Sequence, residues 1–192
     1  MIVVGLPKGV LKEKSKLLAE TICNCKMLSS QLKLKNNKYT FLFLKHRDIP
    51  RFIDLGILDY GITSDEWIKE CDKKNIQELM TLNWCSTKMA LIGSKDTENI
   101  RTCSTEFQNI ARKYFNDKNV NILYISGSSE TLIQDVTDAS IDCVETGKTL
   151  KDNNLIIKDI LFQSEVKLIG NANSNKYEIK EIIDYLKGYE KR

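Results

Sequence analysis

The run Asp138-Ala139-Ser140-Ile141-Asp142-Cys143-Val144-Glu145-Thr146-Gly147-Lys148-Thr149-Leu150 holds the residues best suited to chemistry. Ser140–Val144 reads as a buried strand that delivers carboxylates at its carboxyl end, followed by a Thr-Gly-x-Thr turn. Gly147 lets backbone approach an anion closely, and the N–H groups of residues 147 to 149 converge on it. The hydroxyls of Thr146 and Thr149 add donors, and a following helical turn adds its positive end. Asp142 and Glu145 stand where acceptors for ribose hydroxyls, or ligands for Mg²⁺, are needed. An anion cradle beside carboxylates suits a phosphorylated sugar better than free phosphate. The same residues also fit an ordinary strand and turn, with Gly147 as turn former and the acids as solvated caps.

Elsewhere the chemistry is thinner. Lys8 and Gly9 lie between a strand and a helix, where they can bind phosphate or simply form a solvated turn. His46 adjoins Lys45 and Arg47 and reads as a surface histidine without a nucleophile partner. Trp67 and Trp84 read as core aromatics rather than base-stacking platforms. The six cysteines form no C-x-x-C pair, and with one histidine in the chain a structural zinc site is not expected. They read as reduced core thiols.

These residues need elements to hold them. Ile2–Leu6 and Tyr39–Leu44 read as strands, and Leu11–Ile22 as a helix with Leu11, Leu17, Leu18 and Ile22 at helical spacing. Asp48-Ile49-Pro50 starts a short helix, with Asp48 as N-cap and Pro50 in the first turn. Asp59–Thr63 is a strand, and Lys88–Gly93 is short and apolar. Glu106–Lys118 reads as a helix, Asn121–Ile125 as a strand, and Ser126–Glu130 as a turn into another helix. Leu155–Ile160 and Val166–Ile169 read as two strands, and Lys176–Tyr189 as a closing amphipathic helix. Strands alternating with helices predict α/β layering. The polar stretch 94–99 is the best crossing between two lobes, one of residues 1–93 with 166–192 and a second of 94–165.

Composition narrows the function classes. The chain has 192 residues, 42% hydrophobic and 29% charged, enough for a proper core. A net charge of +3 is too small to argue for nucleic acid. No apolar run reaches membrane-spanning length, and the N-terminus lacks the pattern of a signal peptide, so a cytoplasmic location is expected. Only five of 29 basic residues are Arg, so a Lys where Arg is usual reads as compositional drift.

Five stretches resemble the short form of ATP phosphoribosyltransferase in order and spacing. They are Leu6-Pro7-Lys8-Gly9; Asp48-Ile49-Pro50 with Asp59-Tyr60-Gly61-Ile62; Ile110-Ala111-Arg112-Lys113-Tyr114-Phe115; Gly127-Ser128-Ser129-Glu130; and Asp138-Ala139 through Val144–Leu150. The last is the family's signature. The resemblance implies two α/β lobes of the periplasmic-binding-protein type with the active site between them. It implies transfer of phosphoribosyl from phosphoribosyl pyrophosphate to N1 of ATP, in histidine biosynthesis, with release of pyrophosphate. Mg²⁺ would come on substrate phosphates, with no direct protein ligand assigned. The expected partner is a regulatory subunit resembling histidyl-tRNA synthetase, within a homodimer or larger hetero-oligomer. The short form lacks the C-terminal regulatory domain of the long form.

The resemblance makes Lys8, Lys45, Arg47 and Lys88 the candidate catalytic cations. It assigns Asp138, Ala139, Asp142, Glu145, Thr146, Gly147, Lys148 and Thr149 to phosphoribosyl pyrophosphate, and Gly9, Asp59, Gly61, Gly127 and Ser128 to the nucleotide side. Val10, Gln31 and Ser126 depart from the family, at positions where Arg, Arg and Asn are usual. Two further readings follow from these departures: a relative using another heterocyclic acceptor, and a non-catalytic ligand-binding or regulatory protein on the same fold.

Overall fold

The computed structural model describes residues 1–72, 74–116 and 118–190. The chain divides into two compact units, Met1–Cys85 with Glu165–Arg192, and Ser86–Ser164. The first crossing is therefore not in the polar stretch 94–99. It falls inside a continuous strand, β5 (Ile76–Ser94). The return falls inside a second long strand, β9 (Leu155–Asn171), which merges the two strands expected there. A crossing made of unbroken strand carries no Gly or Pro punctuation, and the sequence offered nothing to mark it.

In the first unit, β1 (Ile2–Pro7) pairs in parallel with β3 (Tyr39–Leu44) and with β4 (Tyr60–Ser64). A short β2 (Lys33–Lys35) lies antiparallel on the outer side of β3, and the end of β9 antiparallel to β4. Side chains alternate across the strands, as a period of two requires. Val4, Leu6, Tyr39, Phe41, Phe43 and Ile62 join one core with Leu18 and Ala19 of α1 (Lys12–Cys23) and Ile182 and Leu186 of α6 (Lys180–Glu190). Val3, Leu42 and Leu44 pack on the other face with Ile49 and Ile53 of α2 (Asp48–Asp54). Parallel strands covered on both faces become continuous apolar runs, which is how β1 and β3 read. Asn24, at φ 48°, ends α1 as a left-handed cap. Asp48 is not the N-cap of α2: Arg47 holds that position, and Asp48 is already helical. The helix α3 (Asp65–Cys71) follows β4 directly. The late return of the chain is tied in by tyrosines: Tyr39 donates to the Glu178 carbonyl at 3.2 Å and Tyr60 to that of Asn175 at 2.7 Å.

In the second unit, β6 (Thr102–Thr105) is parallel to β7 (Asn121–Tyr124) on one side and to β8 (Ala139–Val144) on the other. The end of β5 runs antiparallel to β8, Lys88 opposite Val144 and Gly93 opposite Ala139. The helix α4 (Gln108–Phe115) buries Ile110, Ala111 and Phe115. Ser129–Leu132 forms a 3₁₀ turn instead of the expected helix, and α5 (Lys148–Asp152) begins right after Gly147.

Gly61 is a packing glycine. A Cβ there would stand 2.5 Å from Ile49 Cγ2 and 3.2 Å from the Gly5 carbonyl, where α2 lies against the sheet. Gly61→Ala is expected to destabilise the protein by about 1–3 kcal/mol through overpacking, read as a lower midpoint in urea unfolding. An unchanged midpoint would mean that α2 yields without cost.

Candidate functional site

The site in the second unit grows from the carboxyl ends of β6, β7 and β8, which the parallel register brings to one edge. The 3₁₀ turn after β7 and the loop after β8 meet there. Glu130, Asp142, Cys143, Glu145, Thr146, Gly147, Lys148 and Thr149 surround an open cavity of ≈ 220 Å³, closed from below by Ile92, Val144 and Leu150. Gly147 has φ +73°, and a Cβ added there would meet nothing closer than Val144 Cγ1 at 4.0 Å. Glycine is thus required for its left-handed backbone, and the space above it is open to a ligand. The amides of the first turn of α5 have no acceptor within the helix and point out of its start. Thr146 Oγ1 accepts from Lys148 N at 3.4 Å, which draws the loop into shape. Glu145, Lys148 and Thr149 are exposed beside it. Lys88, exposed and opposite Val144 on β5, places a cation next to the loop.

Asp142 has a different setting from its neighbours. Its Oδ2 accepts from Ser129 Oγ at 2.8 Å and Ser129 N at 3.4 Å, and its Oδ1 from Cys143 N at 2.7 Å. Burial pushes its carboxyl above the usual aspartate value, against the pull of the Ser129 hydrogen bonds. Among the described residues no group of three or more His, Cys, Asp or Glu is placed to hold a metal ion. The Ser129 and Cys143 donors leave one acceptor site of Asp142 Oδ1 unused.

Two residues assigned to the phosphoribosyl side are elsewhere. Asp138 and Ala139 lie at the opposite end of β8 from the loop, about 20 Å away for a six-residue strand. Ala139 is fully buried. Asp138 Oδ2 accepts from Arg101 N at 2.8 Å, Thr102 N at 2.9 Å and Thr102 Oγ1 at 2.8 Å. The Arg101 amide foremost, then the Thr102 hydroxyl, holds this carboxyl below the usual range. Asp138 fastens the start of β6 to β8 through its Oδ2. Gly127, at φ +102°, and Ser128 form the loop after β7 that leads to Ser129.

In the first unit, Lys8 and Lys45 follow the paired ends Pro7 and Leu44 of the parallel strands β1 and β3. Lys8 N donates to the Leu44 carbonyl at 2.8 Å, which sets the two chain ends side by side. Gly9, at φ +74°, has open space above it. Arg47 caps α2, with Nε 4.0 Å from Asp48 Oδ1. Two nucleotide candidates of this unit have structural contacts. Asp59 precedes β4, at the opposite end from Lys8, and its Oδ2 accepts from Val3 N at 2.7 Å. Gly61 is the packing glycine under Ile49. His46 is not a surface residue: its Nδ1 is buried without a hydrogen-bond partner, and desolvation pushes its pKa down to about 4. It is neutral at physiological pH, between two cations. Trp84 is buried at 6% exposure in the core, as its size suggests. All six cysteines are free thiols.

Of the departures, Val10 is 89% exposed right after Gly9. Gln31 has local work: its Oε1 accepts from Leu28 N at 2.8 Å and its amide donates to the Leu28 carbonyl. Ser126 Oγ donates to Glu106 Oε1 at 3.1 Å. Sequence reasoning missed Ser129, which stands inside the stretch Gly127-Ser128-Ser129-Glu130. Its partner lies 13 positions away, and no local pattern links them.

Parallel strands with helices on both sheet faces, in two units joined by long strands, define an α/β protein of the periplasmic-binding-protein type. A Listeria monocytogenes putative L-cystine ABC transporter has this fold at TM-score 0.59 and 13% identity, over 96% of this chain and 89% of that one. The chain belongs to the ATP phosphoribosyltransferase family, whose model matches residues 45–188. The Thermoanaerobacter sp. (strain X514) ATP phosphoribosyltransferase is 33% identical, over 97% of this chain and 94% of the relative. That of Dictyoglomus thermophilum is 30% identical, over 97% and 95%. The Thermotoga maritima ATP phosphoribosyl transferase (HisG:HisZ) complex superposes at TM-score 0.83 and 24% identity, covering 97% of this chain and 96% of that chain.

Asp138→Asn separates the two ends of β8. The depressed pKa means that Asp138 stabilises the fold above the ordinary aspartate value of 3.8 and loses that stabilisation as pH falls below it. The variant is expected to be less stable than the parent at neutral pH, with the gap closing in acid, and to bind phosphoribosyl pyrophosphate normally. Thermal unfolding at several pH values with one binding isotherm checks it. Lost affinity in a folded variant would return Asp138 to the site.

Proposed function

We infer that the chain transfers 5-phosphoribosyl from phosphoribosyl pyrophosphate to N1 of ATP, releasing pyrophosphate, in the first step of histidine biosynthesis. The observation that carries this reading is the cradle at the end of β8. There Gly147 in the left-handed region, the Thr146 and Thr149 hydroxyls and the start of α5 gather around one cavity with Asp142. Membership of the family supplies the reaction; the cradle supplies the part of it this chain can perform.

Transfer of this kind asks for positioning and for charge compensation as pyrophosphate departs. The cradle would fix the 5-phosphate through amides and hydroxyls. Asp142 and Glu145 would accept from ribose hydroxyls and set the direction of C1. Lys88, beside the loop, and Lys8, Lys45 and Arg47, at the ends of β1 and β3, are the cations we assign to the phosphates of donor and acceptor. Mg²⁺ would arrive bound to pyrophosphate oxygens, since the described residues offer no ligand set of their own. Neutral His46 adds no charge to that group. The T. maritima structure is a HisG:HisZ complex, and we propose a regulatory subunit of that kind as partner here. The described residues contain no helix long and apolar enough to cross a membrane, which suits a biosynthetic enzyme of the cytoplasm.

The direct test mixes the protein with ATP, phosphoribosyl pyrophosphate and Mg²⁺, with and without such a regulatory subunit. Phosphoribosyl-ATP and pyrophosphate are expected; neither product in either mixture would overturn the assignment. Thr149→Ala removes one hydroxyl donor to a dianion, worth about 1.5–3 kcal/mol. Affinity for phosphoribosyl pyrophosphate should fall roughly tenfold to hundredfold by calorimetry, and parent-like affinity would move the phosphate elsewhere. Gly147→Val adds a branched side chain at φ +73°. It is expected to abolish binding and also to cost about 1–2 kcal/mol of stability, from left-handed backbone strain.

A further inference from the structure

The mechanism leaves a set of buried hydroxyls unused. Ser104, Ser129, Thr137 and Ser140 cluster between the 3₁₀ turn after β7 and the strands β6 and β8, exposed by 3% or less. Ser104 Oγ donates to the Ser129 carbonyl at 2.8 Å and meets Thr137 Oγ1 at 3.1 Å. Ser140 Oγ and Ser129 Oγ are hydrogen-bonded to each other, and Ser129 Oγ also stands 2.8 Å from Asp142 Oδ2. Three side chains thus form a line from the core of β8 to the cavity wall. An ionised carboxylate only accepts, so the Ser129 proton must point at Asp142. Ser129 Oγ then has lone pairs free, and the Ser140 proton is the one that fills them. The donors therefore run in one direction, Ser140 to Ser129 to Asp142.

We propose that Ser129, backed by Ser140, is a positioning residue for the phosphoribosyl site: it holds the Asp142 carboxylate in place and ionised for the ribose hydroxyls. The inference rests on the phosphoribosyl reading above. Three donors hold the carboxylate: Ser129 Oγ, Ser129 N and Cys143 N, of which Ser129 Oγ and Cys143 N are within 2.8 Å. Each carboxylate oxygen has two acceptor sites, so capacity remains for a ligand. The titratable groups on the surrounding elements do not supply the same help. Glu130 in the 3₁₀ turn raises the Asp142 pKa along with burial. Glu145 adds a second carboxylate on the cavity, and Lys148 is the cation of the loop. Lys88 on β5 is two positions from Ala90, the partner of Asp142, and Cys143 contributes its backbone. On β6 the titratable group is Cys103, whose thiol burial pushes up to about 12, so it stays protonated. The hydroxyl of Ser129 is thus a neutral donor that favours the charged form where desolvation opposes it.

The sign of the effect is fixed. Ribose hydroxyls are bound by the carboxylate, so affinity is full above the Asp142 pKa and falls as pH drops through it. Removing the Ser129 donor raises that pKa further, and the acid limb of binding moves to higher pH. Phosphoribosyl pyrophosphate with Mg²⁺ is titrated calorimetrically into parent, Ser129→Ala, Ser140→Ala and Ser104→Ala from acid to neutral pH, with thermal unfolding of each as a check on folding. In Ser129→Ala the limb is expected to move up by about one pH unit, the size of a hydrogen bond to a charged group. Ser140→Ala should move it less, in the same direction. Ser104→Ala, an equally buried loss that leaves Asp142 untouched, should lower the melting temperature without moving the limb. A limb that stays in place in Ser129→Ala, or moves equally in Ser104→Ala, overturns the inference. If Ser129→Ala does not fold, an unmoved limb in Ser140→Ala overturns it alone. A parent protein that binds no phosphoribosyl pyrophosphate at any pH overturns the phosphoribosyl reading, and this inference with it.

Discussion

A parallel strand must be re-entered from the edge where its neighbour began, so every forward strand of a parallel set ends at the same side. That constraint governs both units. In the first, β1 and β3 end in register at Pro7 and Leu44, and the next residues are Lys8 and Lys45. In the second, Thr105 pairs with Tyr124 and with Ile141, so three chain segments leave the sheet together. In the first unit the interiors of β1 and β3 are covered on both faces and filled largely by apolar side chains, which moves charged chemistry to the strand ends. The antiparallel β5 adds to this, because it enters the second unit beside the place where β8 leaves, carrying Lys88.

Asp138, just before β8, and Asp142, within it, show how position along a strand decides what a carboxylate does. Asp138 and Asp142 are four residues apart. Before the strand, three donors from Arg101 and Thr102 fall on one oxygen, and the charge is held firmly. Within it, burial opposes the charge and a hydroxyl offsets it, so the group remains adjustable and faces a cavity. Residue type is the same in both.

The readable part of the site was local in sequence. Glu145 through Thr149 are consecutive, and Gly147 marks the one place where a left-handed backbone was needed, so the loop could be found from residue types and spacing. What misled was distance along the chain. Asp59 bonds Val3, 56 positions earlier, and Asp138 bonds Arg101 and Thr102, 37 and 36 positions earlier. Nothing near either residue distinguishes a structural carboxylate from a binding one. Gly61 resembled a ligand glycine, but it is the one against which Ile49 packs. The α/β class was legible because β1, β3 and α1 obey their periods. β5 was legible only at its apolar end, since its first six residues mix half-buried and exposed positions without alternation and only Leu82 and Trp84 are buried before Met89. His46, between Lys45 and Arg47, looked solvated because its neighbours were charged; the chain reversal into α2 turns its ring inward.

The departures from the family follow the same division between ends and interiors. Gln31 bonds Leu28 through both its backbone amide and its side chain, so its side chain is committed to holding a turn. Val10 stands exposed after Gly9, an apolar residue where a solvated cation would cost nothing to hold. On this unit the positive charge near the ends of β1 and β3 therefore comes from Lys8, Lys45 and Arg47. Two of the three are lysines, which bind phosphate as point charges, without the fixed fork of arginine. In the second unit the loop after β8 keeps its glycine and threonines, and Ser129 fastens the carboxylate beside them.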